Sequence, residues 1–124
     1  MAKVLDALGC RNRELSILFT SDEEIARLNA KYLGRQGPTN VLAFPMAPAS
    51  KDEPDSLLLG DIVVSVETAS REAECAGETL QDAIGRLLIH GLLHLIGYDH
   101  EKSDVAAKEM EQQEKRLMKI FKEA

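Results

Sequence analysis

Between Leu87 and Ile96 the chain is apolar at every position except His90, Gly91 and His94. A helix on a protein surface keeps a charged face, whereas one that is apolar all round must be covered on every side. The segment therefore predicts a central, buried helix with the rest of the fold built around it. Thr79, with Asp82 three residues on, is the candidate start of that helix. Gly97 is its natural stop, because glycine enters the left-handed conformation at little cost. The chain has 124 residues, which fits a single domain over residues 1–124 with a core of its own.

His90 and His94 are four apart and so project from one face of that helix. His100, three residues beyond Gly97, is the remaining histidine of the three in the chain. Burying imidazoles without partners is destabilising, so a cluster of all three calls for a ligand. Three neutral nitrogen donors with one open position is the pattern of a catalytic zinc, not of a closed structural one. The spacing thus predicts one Zn2+ per chain, held by His90, His94 and His100. The string H-G-L-L-H-L-I-G-Y-D-H keeps the histidine and glycine offsets of the metzincin peptidases, H-E-x-x-H-x-x-G-x-x-H. Gly91 stands where those enzymes carry their glutamate base. The exchange keeps the metal geometry, removes the peptidase machinery and is expected to leave open space beside the ion.

The rest of the chain alternates strand and helix signals. Val4, Leu5 and Leu8 suggest a short helix over residues 2–10, and E-L-S-I-L-F-T from Glu14 to Thr20 reads as a strand. Ser21 opens a capping box with Glu24 and a helix that ends near Gly34. Val41 to Phe44 is a second strand, stopped by Pro45, and residues 47–56, with two prolines, read as a mobile surface loop. Leu57 to Ser65 is a third strand, interrupted by Gly60 and apolar enough to be buried on both faces. A helix from Val66 to Ala76 closes at Gly77, and a last one runs from about Ser103 to Lys122. Leu117, Ile120 and Phe121 give that last helix an apolar face, and its charges read as a solvated one.

Composition sets limits on partners. A net charge of −6 rules out a global basic field, so a polyanion would need a local patch or the metal itself. Lys31 and Arg35 are the candidates for such a patch. Aromatic residues make up 4% of the chain and tryptophan is absent, which argues against a platform for stacking bases. Cys10 and Cys75 form no C-x-x-C and read as buried or free thiols in a reducing compartment. No apolar run reaches transmembrane length. The expected location is the cytoplasm, without a membrane anchor.

At H-G-L-L-H-L-I-G-Y-D-H the chain resembles the bacterial YbeY family of rRNA maturation factors, whose pattern is H-G-x-L-H-L-x-G-Y-D-H. P-T-N-V-L-A-F-P, from Pro38 to Pro45, is similar to the family's P-T-D/N-V-L-S-F-P, and L-L-G-D-I-V-V-S, from Leu58 to Ser65, to its L-G-D-I-x-I-S. The resemblance implies a metal-dependent endoribonuclease specific for single-stranded RNA. The implied role is processing of the 3′ end of 16S rRNA and ribosome quality control, with ribosome or small-subunit assembly components as partners. It also implies an α+β fold, with a small mixed sheet packed by helices and a central helix carrying the first two histidines. Two departures stand out. Leu33 occupies the place of a family arginine associated with RNA cleavage, with Arg35 two residues on as a displaced substitute, and Gln36 replaces an acidic residue of the same loop. The N-terminus looks short of the family's first strand, so a sheet of three strands is as compatible as one of four.

Within that resemblance, hydrolysis of a phosphodiester is the leading chemistry, with Asp99, Arg86 and Arg35 as candidate catalytic residues. Asp99 is placed to orient a ligand or accept a proton, or only to cap a turn. Arg86, one turn before His90, is placed to hold a phosphate through two parallel hydrogen bonds, or to pair with an acid such as Asp82. Two rival readings remain. One is a non-catalytic, zinc-containing assembly factor, which the Leu33 departure favours. The other is a hydrolase of amides or small molecules, which Gly91 disfavours because it cannot take a proton.

Overall fold

A computed structural model describes residues 2–9, 14–45, 58–98 and 101–123. The elements run α1 (Ala2–Ala7), β1 (Glu14–Thr20), α2 (Asp22–Leu33), β2 (Val41–Pro45), β3 (Leu58–Ser65), α3 (Val66–Ala76), α4 (Leu80–Leu95) and α5 (Asp104–Glu123). Among the described residues the sheet has three strands in the order β1-β3-β2. β1 runs parallel to β3 and β2 antiparallel to it, so the sheet is mixed and the fold is α+β. Three of the expected elements fall outside the described residues in part or whole: the loop at 47–56, Leu57 at the start of the third strand, and the far end of the first helix at Cys10.

β3 is the middle strand, which explains why its sequence is apolar on both sides. Ile62 and Val64 join the cluster that holds Leu87, Ile89, Leu92 and Leu93 of α4 with Met110 and Leu117 of α5. Val63 points the other way and packs with Ile25 of α2 and Leu42 of β2. Successive side chains on a strand face opposite sides, so α4 lies on one face of the sheet and α2 on the other. α4 also touches α3 and α5, and Ile89, Leu92 and Leu93 are fully buried. It is the central helix that its composition predicts.

The sequence places Pro45 just after β2, whereas the structure puts it inside the strand. β2 is an edge strand, where a residue without an N–H is tolerated. Pro45 pairs with Gly60, and a Cβ on Gly60 would stand 2.3 Å from the Phe44 carbonyl oxygen. The glycine that interrupts β3 is thus required by the close approach of β2.

The starts of α2 and α3 are locked together through Asp22. Its carboxylate accepts from Ser65 Oγ, from Thr68 Oγ1 and from Arg71 Nη2, the last at 2.7 Å. Its own N–H donates to Glu67 Oε1 at 2.9 Å. The Ser65 and Thr68 hydroxyls, then Arg71, hold the Asp22 carboxyl down at about 2, against an ordinary 3.8. A depressed carboxylate contributes stability that is full above the unfolded value and is lost as pH falls through the folded one. Asp22→Asn is therefore expected to melt below the wild type at pH 7. The two melting curves should converge as the pH falls from about 4 to about 2. A gap that stays constant across that range would show that the charge of Asp22 does not stabilise the fold.

Candidate functional site

One turn of α4 brings the two histidines into facing positions. Their Nε2 atoms are 3.2 Å apart, with ring centroids at 4.7 Å and planes at 79°. Two nitrogens about 2.05 Å from one tetrahedral ion lie roughly 3.3 Å from each other. That separation suits a shared ion and equally a direct N–H···N hydrogen bond between the two rings. On the far side of His90, its Nδ1 lies 3.3 Å from Glu114 Oε1 of α5. A carboxylate there can accept a hydrogen bond from Nδ1–H, which directs the Nε2 lone pair toward His94. The charges of α5 are therefore not all a solvated face. Glu114 turns inward, and only the packing of α5 on α4 reveals it.

His100 and Asp99 lie outside the described residues, and among the described residues no three metal-ligating side chains cluster. What the structure does describe is how the chain leaves α4. Gly97 has a φ of 106°, its N–H donates to the His94 carbonyl at 3.1 Å, and that of Tyr98 reaches the Leu93 carbonyl at 3.0 Å. This paired termination needs a left-handed residue at Gly97 and turns the chain sharply off the helix. Gly97 and Tyr98 before the two undescribed residues, and Glu101 and Lys102 after them, all line the cavity that the histidines line.

That cavity has a volume of about 550 Å3. Arg35, Thr39 and Asn40 come to it from the chain between α2 and β2, Val41 and Ala43 from β2, and His90, Gly91 and His94 from α4. Gly91 lines this cavity with the two histidines, and it also lets α4 lie close on β3, where an added Cβ would meet the Ile62 side chain at 3.1 Å. A side chain at this position would need the Ile62 side chain to give way.

The candidate cations divide. Arg35 lines the cavity, and so does Lys102, which the sequence does not single out. Lys31 lies on α2 with its ammonium 5.2 Å from the Tyr32 ring and does not line the cavity. Leu33 is exposed at the end of α2 and does not line it either. Arg86 is expected beside His90 with Asp82 as its alternative partner. Instead it donates to Glu78 Oε1 at 2.8 Å and faces Glu72 Oε2 of α3 at 3.6 Å, away from the cavity lining. Residues four apart are offset by about 40° around a helix, and a long guanidinium turns that offset into contact with a different neighbour. Among the described residues, Tyr98 is the one Phe, Trp or Tyr that lines the cavity.

The sequence profile of the family described as endoribonuclease YbeY matches residues 1–122. A protein of Syntrophus aciditrophicus named endoribonuclease YbeY is 46% identical over 102 residues, covering 82% of this chain and 64% of that relative. One of the same name from Geobacter metallireducens is 42% identical over 120 residues, covering 96% of this chain and 80% of the relative. Another from Aquifex aeolicus is 40% identical over 120 residues, covering 97% and 78%. The solution structure of a Thermotoga maritima protein superposes with a TM-score of 0.62 at 30% identity, over 94% of this chain and 80% of that one. With the profile matched over nearly its whole length, and relatives above 40% identity along most of it, the chain belongs to the endoribonuclease YbeY family.

Proposed function

We propose that this chain is a metal-dependent endoribonuclease that cuts single-stranded RNA, with Zn2+ as its cofactor and the 3′ end of 16S rRNA as its substrate. Its setting would be small-subunit assembly in the cytoplasm. The observation that carries this reading is the pair of imidazoles, Nε2 to Nε2 at 3.2 Å, in a cavity that Arg35 and Lys102 also line. The name endoribonuclease that the relatives carry supports it. No helix among the described residues is long and apolar enough to cross a membrane.

In this reading His90, His94 and His100 hold the ion, and Glu114 fixes the His90 ring so that its Nε2 faces inward. A divalent metal supplies Lewis acidity for phosphodiester hydrolysis. Arg35 and Lys102 draw the RNA backbone in and hold its phosphate oxygens by charge-assisted hydrogen bonds, which answers the overall negative charge of the chain. Asp99 is the proposed proton acceptor. Arg86 has no direct place at the phosphate, because two carboxylates already engage it. The rival reading, a zinc-containing assembly factor without activity, draws on Leu33, which is exposed and off the cavity where the family carries an arginine.

Purified protein is expected to cleave a single-stranded RNA in the presence of zinc, to lose that activity with chelator, and to leave a peptide pool intact. Arg35→Ala should lower kcat/KM on RNA by about ten- to a hundredfold, the scale of one charge-assisted hydrogen bond. An unchanged rate removes Arg35 from the site. Full metal content with no cleavage would favour the assembly factor instead.

A further inference from the structure

We propose that Asn40 reads the ribose hydroxyl of the substrate, and that Glu72, seated by Arg86, fixes the Asn40 amide for that task. The proposal rests on the RNA-cleaving reading and names the residues that give that site its preference for RNA.

Asn40 is held at both ends. Its backbone carbonyl accepts from the Ser65 N–H at 3.0 Å, which ties the start of β2 to the end of β3. Its side chain lines the cavity, and its Nδ2 donates to Glu72 Oε1 at 2.9 Å. An ionised carboxylate only accepts, whereas a carboxamide has one donating and one accepting end. Glu72 therefore selects the NH2 end of Asn40. The carbonyl oxygen is left on the side of Thr39, whose Oγ1 lies 3.5 Å from Oδ1 and which also lines the cavity. Without such a partner the amide would flip and offer the cavity a donor as readily as an acceptor.

Glu72 is itself held. Its buried Oε2 has no hydrogen bond among the described residues and faces Arg86 Nη2 at 3.6 Å. Arg86 is clamped in turn by Glu78 at 2.8 Å. The row Glu78, Arg86, Glu72, Asn40 thus runs from the α3–α4 connection to the cavity on two well-packed helices, and gives Arg86 a use that its distance from the cavity otherwise denies it.

The chemistry follows from what the cavity already offers. Arg35 and Lys102 are donors, and a phosphodiester presents only acceptors to them. They read the backbone charge, which RNA and DNA share. The 2′-hydroxyl is the group that separates the two, and it donates. A neutral amide oxygen with a fixed direction, in a cavity that Arg35, Lys102 and Glu101 also line, is suited to accept from it. Asn40 is then a specificity residue, and Glu72 and Arg86 are positioning residues.

The test uses the full chain with zinc and two substrates: a single-stranded RNA and the same oligonucleotide with 2′-deoxyribose at the cleaved nucleotide. The wild type is expected to prefer the RNA by about tenfold or more in kcat/KM, on the scale of one hydrogen bond. Glu72→Gln should cut the RNA rate by about tenfold and leave the deoxy substrate nearly unchanged, so that the preference collapses. Arg86→Met should move both in the same direction. Combining Glu72→Gln with Asn40→Asp should restore the preference, because the introduced amide then donates to the introduced carboxylate and an oxygen again faces the cavity. In NMR spectra, the Asn40 side-chain NH2 should be shifted and protected in the wild type and lose both features in Glu72→Gln. A purely structural role would lower both substrates alike, together with the melting temperature. Wild-type cleavage with an unchanged preference in Glu72→Gln overturns the role of Asn40 and Glu72 alone. No wild-type cleavage at all overturns the RNA reading and the ribose role with it, whatever the NMR shows of the amide.

Discussion

The His94→Ala protein is expected to carry well under half of the metal that the wild type binds, and to melt at the same temperature with zinc as with chelator. The two Nε2 atoms stand at the separation of ligands to one tetrahedral ion, so removing one ring leaves a site short of a donor and weakens the hold of the others. In the wild type, zinc at about a hundred times its Kd stabilises the fold by about 2.7 kcal/mol. For a chain of this length that raises the melting temperature by roughly 10 °C. Alanine is the best helix former, so α4 should persist in the variant, as circular dichroism would show. Elemental analysis and melting curves decide the matter. Undiminished metal in His94→Ala, or equal melting of the wild type with zinc and with chelator, would sink the metal assignment.

Gly60→Ala is expected to destabilise the protein by about 3 kcal/mol or more, as read from the midpoint of chemical denaturation. Gly60 has a φ of 143°, which L side chains rarely adopt, and backbone strain of that kind costs on the order of 1–3 kcal/mol. The added Cβ would also meet Phe44 O at 2.3 Å and the Pro45 Cα at 3.1 Å. Both are main-chain atoms of β2, so the clash is relieved only by parting the two strands. β2 leads directly from Thr39 and Asn40 of the cavity, so the loss should extend to activity. A midpoint within experimental error of the wild type would mean that β2 and β3 are not so closely apposed.

The legible features are those whose cause is local. Ser21 caps α2 by accepting from the Glu24 N–H at 3.2 Å, as the capping box predicts. Thr79 does the same for α4 with Asp82 at 3.1 Å. Gly34 and Gly77 close their helices in the left-handed conformation, and the all-apolar stretch after Arg86 is the buried centre. The four-residue spacing of His90 and His94 was enough to place their imidazoles together, because helix geometry alone sets it. Arg35 lines the cavity, two residues beyond Leu33, which does not.

By itself the sequence determined the order and type of the elements, their caps, the family, and the juxtaposition of His90 with His94. These depend on periodicities of two and 3.6 residues and on side chains bonding their near neighbours, which are written along the chain. Only the tertiary structure decided who stands next to whom across elements. It turned Glu114 of α5 onto His90, carried Arg86 to Glu72 and Glu78 in place of Asp82, set Glu72 against Asn40, and brought Ile62 close against Gly91. Each of these pairs is separated by at least eight residues, and all but Glu72 with Asn40 involve a residue of α4, which packs against the sheet, α3 and α5. A charged residue on an amphipathic helix looks the same in sequence whether it meets water or another helix. The angle at which the helices pack is what chooses, and that angle is set by the fit of the whole core.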